Sequence, residues 1–120
     1  MMHKVQIYHN PRCSKSREAL ALLKEKSDEI EIIDYLNHPP SAAELGDLCE
    51  KLNIRPEQLI RKKEELFIST FKDKKYSDKM WLKHLSENPR LIERPIVIQG
   101  NNAVIGRPPQ LILALFEKES

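Results

Sequence analysis

In "KVQIYHN" Val5 and Ile7 fall on one face and the run ends on polar residues, which predicts a strand over 4–8. Asn10-Pro11 marks a turn. The period then changes. "SKSREALALLKEK" is rich in Ala, Leu, Glu and Lys and predicts a helix over 14–26. "EIEIIDYL", with Ile30, Ile32 and Ile33, reads as a second strand. The three pieces make a β–α–β unit, whose strands are expected to be parallel with a right-handed crossover.

The middle of the chain is helical in pattern. Pro39-Pro40 breaks the preceding element, and Ser41 with Glu44 fits a capping box. Leu45, Leu48, Cys49 and Leu52 then recur at i, i+3, i+4 and i+7. "RPEQLIRKKEELF" suggests another helical piece from Pro56, and "SDKMWLKHLSENP" a further helix capped by Ser77 and stopped before Pro89. Residues 41–88 are therefore expected as a helical insert between strands.

Strand character returns at about 96–99, followed by a turn over Gly100-Asn101-Asn102 and a strand at about 103–105. The short turn makes this hairpin antiparallel. Gly106 interrupts the pattern, and Pro108-Pro109 opens a last helix carrying Leu111, Ile112, Leu115 and Phe116. The order β-α-β, helical insert, β-β-α specifies an α/β fold with a small mixed β-sheet flanked by helices.

Size and charge narrow the picture. At 120 residues the chain is expected to be a single domain, 1–120, containing the insert. The net charge of +2 argues against extended nucleic-acid wrapping. No apolar run reaches the roughly 18 residues of a membrane span. "MMHKVQIYHN" lacks the features of a secretory signal, so a cytoplasmic location is expected, with no membrane partner. In that reducing setting Cys13 and Cys49 are not expected to form a disulfide.

Cys13 lies at the junction of the first predicted strand and helix. Free N–H groups and the positive end of the helix dipole favour a thiolate there. Arg12, Lys15 and Arg17 add positive charge, as His9 does when protonated. The same helix mouth suits an oxyanion. A thiolate that attacks something anionic is one reading of these residues, and a cysteine filling space beside a turn is the other. "CSKS" alone is a weak motif, because Ser16 stands where dithiol proteins carry a second cysteine.

Cys49 sits on an apolar helical stripe and is expected in the core. His3, His9, His38 and His84 show no metal-ligand spacing with the cysteines, so no metal site is expected. Only His9 is a functional candidate, by its closeness to Cys13. "RKKEE" at 61–65 reads as a solvated helix face or end. Pattern alone does not single out Arg61, Arg94 or Arg107.

Four segments together, "IYHNPRCSKSR", "LIRK", "ERPIVI" and "VIGRPPQ", resemble the glutaredoxin-dependent arsenate reductase (ArsC) family, in the same order and across about residues 4–116. The resemblance implies a thioredoxin-like fold with a helical insertion. It implies that Cys13 is the nucleophile and that Arg61, Arg94 and Arg107 converge on a substrate oxyanion, to which guanidinium forks are suited. It further implies a cis Arg94-Pro95 bond, with Pro95 beside the site. His9 and Asn10 match the family's segment before the cysteine. On this basis His9 is expected to help keep Cys13 ionised and Ser16 to hydrogen-bond the sulfur.

The activity implied is reduction of arsenate to arsenite through a Cys13–arsenate adduct. Glutathione is the implied co-substrate and glutaredoxin the implied protein partner, with no bound cofactor. Two other readings differ in class. Spx-like regulators share the fold and bind RNA polymerase, but generally use a CxxC switch that Ser16 removes. A monothiol glutathione-dependent oxidoreductase is also compatible with CxxS, and would not depend on Arg94 and Arg107.

Overall fold

The computed structural model describes residues 4–117, and His3 lies outside them. The chain divides into two compact units, one formed by 1–38 with 94–120 and the other by Pro39–Glu93.

The first unit is built on a four-stranded sheet. β1 (Lys4–Tyr8), β2 (Glu29–Ile33), β3 (Ile96–Gln99) and β4 (Asn102–Ile105) lie in the order β2-β1-β3-β4. β1 pairs parallel with β2, Val5 opposite Ile30 and Ile7 opposite Ile32. β3 pairs antiparallel with β1 and with β4, so the sheet is mixed. Parallel strands need a long crossover, and α1 (Ser14–Lys26) supplies it. Val5, Ile7 and Val97 on the sheet bury against Ala19 and Leu23 of α1 and Ile112 and Leu115 near the end of the chain. This is the mixed sheet flanked by helices of a thioredoxin-like α/β fold.

The β3–β4 turn is tighter than the sequence suggested. Asn102 already pairs with Gln99, leaving Gly100 and Asn101 to make the reversal. Gly100 adopts φ of +61°, a conformation that side chains with a Cβ resist. The last helix also differs, because Pro109–Leu113 is a 3-10 turn and only Ala114–Glu117, α4, is α-helical.

Gly106 is needed for a close approach. A Cβ there would lie 3.1 Å from both Ile112 Cγ2 and Pro95 Cγ, while its N–H donates to the Pro95 carbonyl at 2.8 Å. Gly106→Ala is expected to cost about 1–3 kcal/mol through overpacking. Urea unfolding measures this, and an unchanged midpoint would refute the packing argument.

The second unit carries α2 (Ala42–Leu52) and α3 (Asp78–Glu87). Ser41 Oγ accepts from the Glu44 N–H at 3.1 Å and Glu44 Oε1 accepts from the Ser41 N–H at 3.0 Å, completing the expected capping box. Ser77 caps α3 in the same sense. Leu45, Leu48 and Cys49 are buried, and α2 packs on α3. The segment from Pro56 is not one helix. Pro56–Leu59 is a 3-10 turn, Ile60 bridges to Ile92, and a π-helix spans Phe67–Phe71. Tertiary pairing of Ile60 overrides the local helical preference of "RPEQLIRKKEELF". Among the described residues no helix is long and apolar enough to cross a membrane.

Candidate functional site

The loop from β1 into α1 is tied by its own sequence. The Cys13 N–H donates to the Asn10 carbonyl at 3.0 Å, closing a turn with Pro11 at its second position. Asn10 Oδ1 accepts from the Arg12 N–H at 3.0 Å, and Arg17 Nη1 donates to the Pro11 carbonyl at 2.8 Å. Ser16 Oγ accepts from the Asn10 N–H at 3.0 Å and shares a 2.6 Å hydrogen bond with His9 Nδ1. Ser16 is fully buried, so this hydroxyl fastens the loop to the first turn of the helix.

These ties leave Cys13 at the N-cap of α1, in extended backbone and half-buried. Burial pushes its thiol up. That effect is outweighed by a hydrogen bond from the Arg94 guanidinium, the backbone N–H of Ser16, the Arg94 charge and the backbone N–H of Lys15, so the net shift is downward. The two amides do not form a helix cap of ordinary hydrogen-bond geometry with the sulfur. Their N–H dipoles still face it and favour the anion.

Arg94 comes from the segment just before β3, more than 80 residues from Cys13 in the chain. Burial lowers its pKa, while hydrogen bonds and charge from Cys13 and Tyr35 raise it, for a net upward shift. It stays a cation. Its buried Nε has no acceptor among the described residues. The Arg94-Pro95 peptide bond is cis, as is Arg107-Pro108. Arg107 is exposed, and its Nη1 donates to the Arg94 carbonyl at 3.1 Å. The first unit thus gathers Cys13, Arg94 and Arg107 with Pro95, Ser16, Asn10 and His9.

Arg61 belongs to the second unit. Its Nη1 donates to Glu64 Oε2 at 2.9 Å and to the Arg90 carbonyl at 3.3 Å, and Arg90 Nη2 holds Glu64 Oε1 at 2.9 Å. The side chains of Arg61 and Glu64 are only 19% and 14% exposed, so this part of "RKKEE" is not the solvated face the charge run suggested. Two guanidiniums draw the carboxylate in.

Two sequence expectations change. Ser16 reaches the sulfur through its backbone N–H, because its hydroxyl is engaged by His9 and Asn10. His9 is 8% exposed, and burial, Arg17 and Lys24 lower its pKa, so it is neutral at pH 7 and adds no positive charge. The cation at the sulfur is Arg94, and His9 bears on Cys13 through Ser16. A buried neutral histidine has a sign for stability. The unfolded state takes up the proton near pH 6.5 and the folded state at lower pH, so stability falls as pH drops below about 6.5. Wild type is expected to lose stability relative to His9→Gln between pH 7 and pH 5. Parallel urea midpoints over that range would contradict the burial effect.

Cys49 behaves oppositely to Cys13. It is 4% exposed, and burial together with the Asp78 charge pushes its thiol up to about 11. Among the described residues no group of three or more His, Cys, Asp or Glu side chains is placed to hold a metal ion. Tyr35 was not singled out by sequence. It follows a run of apolar β2 residues and reads there as ordinary strand-end packing, whereas in the fold it stacks on Tyr8 and lies close enough to Arg94 to bear on its charge.

A family model described as the ArsC family matches residues 8–115. The chain is 47% identical over 114 residues to an arsenate reductase of Haemophilus influenzae, covering 93% of this chain and 98% of that protein. It is 44% identical over 117 residues to the uncharacterized protein YfgD of Escherichia coli K12, covering 96% and 98%. Among solved structures, an arsenate reductase from Vibrio cholerae superposes with a TM-score of 0.89 at 41% identity, over 95% of this chain and 98% of that one.

Proposed function

Since the chain belongs to the ArsC family, we propose that it reduces arsenate to arsenite with Cys13 as nucleophile and glutathione and glutaredoxin as the source of electrons. The observation that carries this reading is the half-buried Cys13 thiol, lowered in pKa at a helix N-terminus with the Arg94 guanidinium hydrogen-bonded to its sulfur. That arrangement supplies the nucleophile and a fixed positive charge for its anionic target in the same place.

Arg94 and Arg107 bind the oxyanion, and the family resemblance assigns Arg61 to the same substrate. Guanidiniums suit this task because they stay charged and present paired donors to tetrahedral oxygens. The Cys13 thiolate attacks arsenic, and one arsenate oxygen takes up protons and leaves as water. The product is a thiol ester of arsenate, with arsenic still pentavalent. Glutathione attacks this adduct, and a glutaredoxin thiol resolves it. Arsenic gains two electrons and leaves as arsenite, Cys13 regains its thiol, and the two external thiols leave as one mixed disulfide. Ser16 and Asn10 hold the loop in shape, neutral His9 anchors Ser16, and Pro95 fixes the path of the chain beside Arg94.

A coupled assay with glutathione, glutaredoxin and arsenate tests the proposal. Arsenate-dependent thiol consumption supports it. Reduction of a glutathionylated peptide with no arsenate turnover would replace it with the monothiol oxidoreductase reading.

A further inference from the structure

The cluster of Arg61, Glu64 and Arg90 has a direction. Arg61 Nη1 carries two protons and spends both, one on Glu64 Oε2 at 2.9 Å and one on the Arg90 carbonyl at 3.3 Å. Its main chain is fixed as well, the Arg61 N–H donating to the Leu91 carbonyl at 2.7 Å. Nε and Nη2, the other edge of the guanidinium, have no acceptor among the described residues. Those two nitrogens carry the parallel N–H groups that meet two oxygens of one anion side by side. The Arg61 side chain is 19% exposed, and neither nitrogen is sealed from solvent. The open edge is therefore held in place and still within reach of a ligand.

Glu64 decides which edge stays open. Its second oxygen, Oε1, accepts from Arg90 Nη2 at 2.9 Å. A carboxylate with each oxygen on a different arginine cannot turn without breaking a charge-assisted bond. Arg90 is 67% exposed and forms the outer end of this clamp. The backbone repeats the tie. Ile60 bridges to Ile92, and the Glu93 N–H donates to the Leu59 carbonyl at 2.8 Å, which keeps the stretches carrying Arg61 and Arg90 in register.

We propose that Glu64 is a positioning residue, which holds Arg61 by Nη1 and so presents its Nε–Nη2 edge as a preformed two-donor fork for a tetrahedral oxyanion. An arginine ordered in advance does not lose its side-chain freedom when the anion arrives. One carboxylate between two guanidiniums also leaves the cluster with a net positive charge, so an anion is still attracted. Glu64 itself does not touch the substrate. It acts through Arg61.

This inference rests on the proposed reduction of arsenate for the identity of the anion, and binding rather than turnover tests it. Arsenate bound beside Cys13 protects the thiol from iodoacetamide, and the concentration giving half protection of the full chain is the measurement. Glu64→Gln keeps the shape of the side chain, but its amide turns a donor toward one of the two arginines. The half-protection concentration is expected to rise about three- to tenfold in this variant. In an Arg61→Ala background the same change is expected to add nothing, because the group it positions is gone. Arg90→Gln alters the exposed end of the clamp alone, and is expected to give a smaller rise in the same direction. A structural role would lower the urea midpoint of Glu64→Gln and leave half protection where it was, which overturns the proposal. So would an effect of Glu64→Gln that persists in full without Arg61, or an unchanged value in Arg90→Gln. If arsenate fails to protect the wild type, the oxyanion reading falls and this inference falls with it.

Discussion

Turnover of arsenate with glutathione and glutaredoxin is expected to fall by roughly three orders of magnitude or more in Cys13→Ser. Serine is nearly isosteric, so the helix mouth and the loop ties through Ser16 and Asn10 survive. Its hydroxyl, however, titrates far above the range in which Arg94 and the helix amides yield an anion. The attack on arsenic then lacks its nucleophile. Thiol labelling separates loss of chemistry from loss of fold. Near neutral pH the wild type is expected to take up one alkyl group, because Cys49 is buried with its thiol pushed up to about 11, and Cys13→Ser none. Substantial activity in a folded Cys13→Ser protein would end the assignment.

Arg94→Ala has the second largest expected effect, about a hundredfold on kcat/KM for arsenate. It removes a guanidinium that meets the sulfur and, in the proposed mechanism, the substrate. Alkylation of Cys13 is expected to need higher pH in this variant, since the hydrogen bond and the charge that lower the thiol's pKa both come from Arg94. Lys62→Ala is the comparison. It removes a charge of the same sign from the "RKKEE" run and is expected to leave kcat/KM within about twofold, as an exposed charge screened by salt. Equal losses in the two variants would show that general positive charge, not a placed guanidinium, supports the reaction.

Much of the fold was legible because its signals are local. The alternation in "KVQIY" and the composition of "SKSREALALLKEK" gave β1 and α1 with the observed limits. Ser41 and Glu44 gave the capping box because both partners lie within one helical turn. The segment after Pro56 was misread for the opposite reason. Its residues favour helix, but Ile60 pairs with Ile92, a contact that local propensity does not encode. The same limit applied to charge. "RKKEE" reads as solvent-facing until Arg90, from a distant stretch, meets Glu64 together with Arg61.

By itself the sequence determined the element order, the place of Cys13 at a helix mouth and the resemblance that singled out Arg61, Arg94 and Arg107. These depend on neighbours within a turn or on motif residues readable in line. The tertiary structure alone decided which cation serves the thiol. It brought Arg94 to the sulfur, buried His9 until it lost its charge, and stacked Tyr35 on Tyr8. Burial and long-range contact fix the charge state of a side chain, and neither is a property of its position along the chain.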